Sequence, residues 1–148
     1  MTSSVKKIAN RWIDENRERL IEISDTIWEY AELGFVEYKS AKILADELES
    51  HGFELEREVA GIPTAFVATW GAGKPVIGIN GEYDALPGIS NKAVPGQDPL
   101  EEGAPGHGCG HNIHGVSGLG GALGLKAVME AEGIPGTIKY FGCPAEEM

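Results

Sequence analysis

Residues 106–114 read GHGCGHNIH and hold three of the chain's four histidines and one of its two cysteines. Thiolate and imidazole are the donors zinc prefers, and a thiolate in a reducing compartment is free to ligate. Cys109 and His111 are two residues apart. On a helix their side chains would diverge by about 200°, so they can share an ion only from a loop. Gly106, Gly108 and Gly110 alternate with His107, Cys109 and His111. Glycine permits the backbone angles that turn successive side chains onto one point. His111 and His114 share a face if a helix begins there. The spacing argues for a metal site. A flexible loop with incidental histidines is the plainer alternative. A redox thiol at Cys109 is a third, although no C-x-x-C is present.

Two acidic clusters accompany this loop. GCPAEEM, residues 142–148, ends a strand-like run, and one of Glu146 and Glu147 could bind a metal while the other accepts a proton. A solvated pair at a loop start is the alternative. NGEYDALPG, residues 80–88, also follows a strand-like run. Glu82 and Asp84 could be ligands or could orient ligands. Asp84 capping a turn before Pro87 explains that cluster equally well.

The elements that must position these clusters follow from periodicity. Val5, Ile8, Trp12, Leu20, Ile23, Ile27 and Ala31 recur at helical spacing, with Thr2, Ser3 and Ser4 as N-caps and Gly34 as the stop. A second helix is predicted over 39–51, with Ala41, Leu44, Ala45 and Leu48 on one face and Gly52 as its stop. FELEREVA, TAFVATW and PVIGING read as strands, the last two flanking a GAGK turn. GAGKP is not a phosphate loop: it lacks the spacer and the Ser/Thr, and Pro75 follows Lys74.

Residues 87–110 make a long Pro- and Gly-rich connection, and such loops are functional or disordered. A third helix is predicted over 111–132 and a buried strand over 136–142. Gly118, Gly120, Gly121 and Gly124 would each weaken a free helix by about 1 kcal/mol, so this helix is expected to pack very close to a sheet. Its GxxxG spacing is not a membrane dimer motif, because the segment is too short and ends charged. Helices alternating with strands indicate an α/β fold with a mixed, partly parallel sheet.

Composition bounds the rest. The 148 residues fit one domain or a large piece of one, and 42% are hydrophobic. Twelve basic against twenty-three acidic residues give a net charge of −11. That is the wrong sign for a nucleic-acid or anionic-membrane partner. The first thirty residues are charged throughout, unlike a signal peptide. The weakly polar run 115–125 is shorter than the ~20 residues of a membrane span. Two cysteines make no disulfide framework, which places the chain in the cytoplasm with reduced thiols.

GEYDALPG, GHGCGHNIHG and GTIKYFGCPAEE together resemble the aminoacylase and carboxypeptidase type of metal-dependent amidohydrolases. The branch is the one that cleaves N-acyl amino acids, and the likeness covers almost the whole chain. Some members carry Asn where Asn112 stands, and others carry Asp. The resemblance implies a two-metal catalytic domain with a mixed α/β sheet, and a smaller domain, inserted after the glutamate pair, that forms the dimer contact. It makes Cys109 and His111 metal ligands, the thiolate able to bridge two ions, and Glu147 the next ligand. Glu146 becomes the general base and Asp84 the aspartate that orients the metal site. Glu82 stands where many relatives have a histidine ligand. His107 and His114, flanking the motif, attend the ligands or face the substrate.

The implied cofactor is a pair of divalent ions per complete site, zinc or manganese, with cobalt or nickel also admitted by mixed S, N and O donors. Such ions acidify water and polarise the amide carbonyl. Glu146 takes the water proton and gives it to the leaving nitrogen. The implied substrate is an N-acyl amino acid, of the p-aminobenzoyl-glutamate or dipeptide kind. In that family more histidine ligands, the dimer domain and the rest of the sheet follow the glutamate pair. Residues 1–148 are therefore expected to be the N-terminal part of a catalytic domain, inactive alone. The full-length form is expected to be a homodimer or a two-subunit complex, with a companion chain as another way to complete the site. The last strand, without its later neighbours, is expected to be an open edge. A non-catalytic metal-binding or regulatory module is the rival reading.

Overall fold

The periodicity of the first thirty residues yields two helices, not one. The computed structural model describes residues 4–148. Thr2 and Ser3, proposed as caps, lie outside them, and Ser4 is already helical. Helix α1 (Ser4–Glu15) ends at Asn16, whose side-chain amide donates to the Trp12 carbonyl at 2.7 Å. The Asn16 backbone N–H donates to the same carbonyl at 3.1 Å, so the two donors share the Trp12 oxygen. Helix α2 (Arg17–Tyr30) buries Ile23 and Ile27. It stops at Ala31, left-handed at φ 41, three residues before the expected Gly34. Gly34 matters for another reason: a Cβ there would lie 3.0 Å from the Ala145 side chain. Helix α3 (Tyr38–Ser50) buries Ala41, Leu44, Ala45 and Leu48, the face read from the sequence.

The remaining elements are β1 (Glu54–Arg57), a 3-10 turn (Val59–Gly61), β2 (Phe66–Ala72), β3 (Val76–Glu82), α4 (His111–Glu132) and β4 (Gly136–Cys143). Of FELEREVA only Glu54–Arg57 is strand. The sheet order is β1-β2-β4-β3. Strands β1, β2 and β4 pair antiparallel, whereas β3 and β4 pair parallel, with Glu82 opposite Cys143. β2 and β3 flank a short turn yet do not pair, because β4 inserts between them. For the same reason β4 is interior, not the open edge that was expected; β1 and β3 are the edges. Edge strand β3 leaves Val76 and Ile77 exposed.

Phe66 lies between Tyr83 and Tyr140, with ring centroids 6.2 and 5.7 Å away, and these rings join the buried faces of α2, α3 and α4 in one core. Helix α4 lies close on the sheet. A Cβ at Gly115 would be 2.7 Å from the Glu82 carbonyl, and one at Gly118 would be 2.8 Å from that of Asn80. The Tyr140 hydroxyl donates to the Gly115 carbonyl at 2.9 Å. Among the described residues no helix is long and apolar enough to cross a membrane.

The long connection is an ordered excursion. Leu86 and Gly106 exchange two backbone bonds of 3.0 Å, and Ser90 N–H donates to Ala104 O. At its tip the Asn91 side chain donates to Gly96 O and accepts from Asp98 N–H. The chain therefore returns to Leu86 before it enters the cysteine-histidine motif.

Candidate metal centre

Because β3 and β4 are parallel, both leave the sheet at one end. Gly115 lies over Glu82 and Gly118 over Asn80, so α4 runs antiparallel to β3 and begins at that same end. Topology therefore brings Glu82 and Asp84, Cys109 and His111, and Glu146 and Glu147 together. Ligand sites in open α/β sheets lie beyond the carboxyl ends of strands. The amino end of α4 also carries partial positive charge toward these carboxylates.

His111 is the hub. It is buried, and its Nδ1 lies 2.8 Å from Oδ1 of Asp84, whose side chain is fully buried. A carboxylate oxygen accepts, so Nδ1–H donates and Nε2 is the ring nitrogen turned to the rest of the cluster. Nε2 faces Glu82 Oε2 at 3.4 Å, Glu146 Oε2 at 3.7 Å and Glu147 Oε1 at 3.9 Å. Among the described residues no lysine or arginine pairs with any of these carboxylates. Three carboxylates and one imidazole nitrogen thus converge. Ligand atoms about 2.0–2.3 Å from a tetrahedral zinc stand roughly 3.3–3.8 Å apart; the Glu82 and Glu146 distances fall in that range, the Glu147 distance lies just beyond it, and the donor chemistry suits a divalent ion.

Two donor groups share His111. Cys109, His111 and Glu147 have ligand atoms within 4.8 Å of one another, and so do Glu82, His111 and Glu146. The Cys109 thiol is pushed up by its hydrogen bond to Glu147 and by the neighbouring carboxylates. Burial and Glu82 push Cys143 up as well.

The other predicted residues have distinct places. His114 Nδ1 lies 3.1 Å from Glu82 Oε2, on the rim of the same cluster. Asn112 is buried and donates to the carbonyl and hydroxyl of Ser24, tying the start of α4 to α2. His107 is turned to the end of α2, where Nε2 lies 3.1 Å from the Ile27 carbonyl, and its other ring nitrogen is buried without a partner among the described residues. Asp84 does more than cap a turn: its second oxygen accepts from Glu147 N–H at 3.0 Å. Sequence reasoning missed Glu37, a fully buried carboxylate that accepts from Ala145 N–H at 2.8 Å. Among twenty-three acids its only local signal is a position between apolar neighbours.

No family model matches the sequence. Individual relatives do. One of the subunits of p-aminobenzoyl-glutamate hydrolase from Escherichia coli is 46% identical over 136 residues, which are 91% of this chain and 28% of that one. Xaa-Arg dipeptidase of Mus musculus is 33% identical over 160 residues, covering 97% of this chain and 32% of the relative. A dinuclear metal-binding peptidase of the M20 family from Bacillus subtilis superposes with a TM-score of 0.73 at 29% identity, over 90% of this chain and 36% of that one. The chain belongs to the M20 peptidase and amidohydrolase family. It spans about a third of the length of these M20 relatives. The mixed α/β fold expected from the sequence is the fold of the M20 neighbour.

Proposed function

We propose that the chain is the metal-binding part of an M20 amide hydrolase that acts on N-acyl amino acids or dipeptides. The observation that carries this reading is the convergence of Cys109, His111 and Glu147 around one point, with Asp84 behind the imidazole. Cys109, His111 and Glu147 would hold one divalent cation, zinc or manganese before cobalt or nickel. A second ion needs further ligands that a longer chain or a companion would bring. When bound, such cations polarise an amide carbonyl and acidify water.

The chain's own residues do the rest. Asp84 fixes the imidazole with Nδ1–H donated and Nε2 free, and buries that pair away from water. Glu146 has a half-exposed side chain at the mouth of the cluster. Its carboxylate takes a proton from the attacking water and returns it to the leaving nitrogen. The pairing of Glu82 with His114 holds a carboxylate at the rim. By analogy with the Escherichia coli relative we assign an aromatic-acyl amino acid of the p-aminobenzoyl-glutamate kind as the first substrate to try. Residues 1–148 are read as the amino-terminal part of the catalytic domain, in a homodimer or a two-subunit enzyme of the cytoplasm. Alone, the chain is expected to bind metal without turnover.

The test is Glu146→Gln in the complete enzyme. It should keep the metal and lose turnover by about a hundredfold or more. Full activity would remove Glu146 as the base. Absence of turnover in every context, with metal still bound, would favour a non-catalytic metal module.

A further inference from the structure

Glu37 occupies the N-cap position of α3, yet its side chain makes no capping bond. Glu32 caps that helix in its place, accepting from Lys39 N–H at 3.1 Å and from Ser40 N–H and Oγ–H at 2.8 Å. The Glu37 carboxylate is thereby free to turn inward, where it is fully buried. Burying a carboxylate is costly unless donors meet it. Here Oε2 accepts from Thr64 Oγ1–H at 2.9 Å and Oε1 from Ala145 N–H at 2.8 Å. Thr64 is itself fixed, since its carbonyl accepts the Tyr83 hydroxyl at 2.6 Å.

Ala145 stands at φ 56, a left-handed conformation that alanine adopts only when its surroundings impose it. Gly34 lets the α2–α3 loop come close enough to do so. Two residues on, Asp84 accepts from Glu147 N–H. The turn that carries both glutamates of the centre is therefore held at two amides, one on each side of Glu146, by two buried carboxylates from different parts of the chain.

We propose that Glu37 is a positioning residue for the Glu146–Glu147 pair, acting through the Ala145 amide. The proposal rests on the metal-centre reading above. Glu37 reaches no donor atom of the centre itself. It sets the backbone from which Glu147 and Glu146 project, as Asp84 sets His111. Glutamine preserves this link, because its carbonyl accepts from Ala145 N–H and its amide can donate to the Thr64 hydroxyl. Aspartate keeps the charge but is one methylene too short to span both partners.

The test uses the 148-residue chain with Co²⁺ as probe. Thiolate-to-cobalt absorption reads affinity, and hydrogen exchange of the Ala145 amide in the metal-free chain reads the anchor. Glu37→Gln should behave like the parent in both. Glu37→Asp and Glu37→Ala should weaken Co²⁺ about ten- to a hundredfold and speed Ala145 exchange. The Ile138 and Tyr140 amides inside β4 should keep their protection. If Glu37→Ala does not fold, the aspartate variant decides. Parent-like Ala145 exchange or Co²⁺ affinity in the aspartate variant overturns the proposal and leaves the metal reading standing. A glutamine variant as weak as the alanine one also overturns it. A parent chain that binds no Co²⁺ overturns the metal reading, and the proposal falls with it.

Discussion

His111 Nδ1 lies 2.8 Å from Asp84 Oδ1, and the other oxygen of that carboxylate takes the amide of Glu147 at 3.0 Å. One buried side chain thus fixes a candidate ligand on α4 and another on the turn after β4. Asparagine offers one oxygen where aspartate offers two, so its amide must face a donor. Asp84→Asn should lower zinc affinity about ten- to a hundredfold, read by calorimetric titration. Unchanged affinity would remove Asp84 from the centre.

The glycines of α4 separate close packing from helix propensity. A Cβ at Gly118 would meet the Asn80 carbonyl at 2.8 Å, whereas one at Gly121 meets nothing. Gly118→Ala should destabilise the chain by about 1–3 kcal/mol through overpacking. Gly121→Ala should stabilise it by up to ~1 kcal/mol. Urea denaturation of both variants checks the pair, and equal effects would contradict the close approach of α4 to β3.

Tyr140 links the sheet to α4 through its buried hydroxyl on the Gly115 carbonyl. Tyr140→Phe leaves that carbonyl without this donor and should cost about 1–2 kcal/mol in thermal or urea unfolding. A neutral result would mean that the bond contributes nothing net.

Much of this architecture is legible in the sequence, for physical reasons that differ by element. The buried face of α3 follows from its helical periodicity, and α4 ends where Gly133 stands left-handed just past its last residue. The meeting of the three clusters is legible because each stands at the start of a helix or the end of a strand, where α/β topology converges. The break at Asn16 is not legible, because no glycine or proline marks it. The interior place of β4 is not legible either, since strand order is set by pairing between segments far apart in sequence. Glu37 escapes for the same reason. Its partner Ala145 is 108 residues away, and nothing local marks a carboxylate for burial.

The central claim is that Cys109, His111 and Glu147 make one cation site, and zinc binding to the purified chain tests it most directly. The parent should bind zinc stoichiometrically, and Cys109→Ala and His111→Ala should each lose most of that affinity while keeping their helical signal. A parent that binds no zinc, or a Cys109→Ala chain that binds it as tightly as the parent, would rule out this cation site.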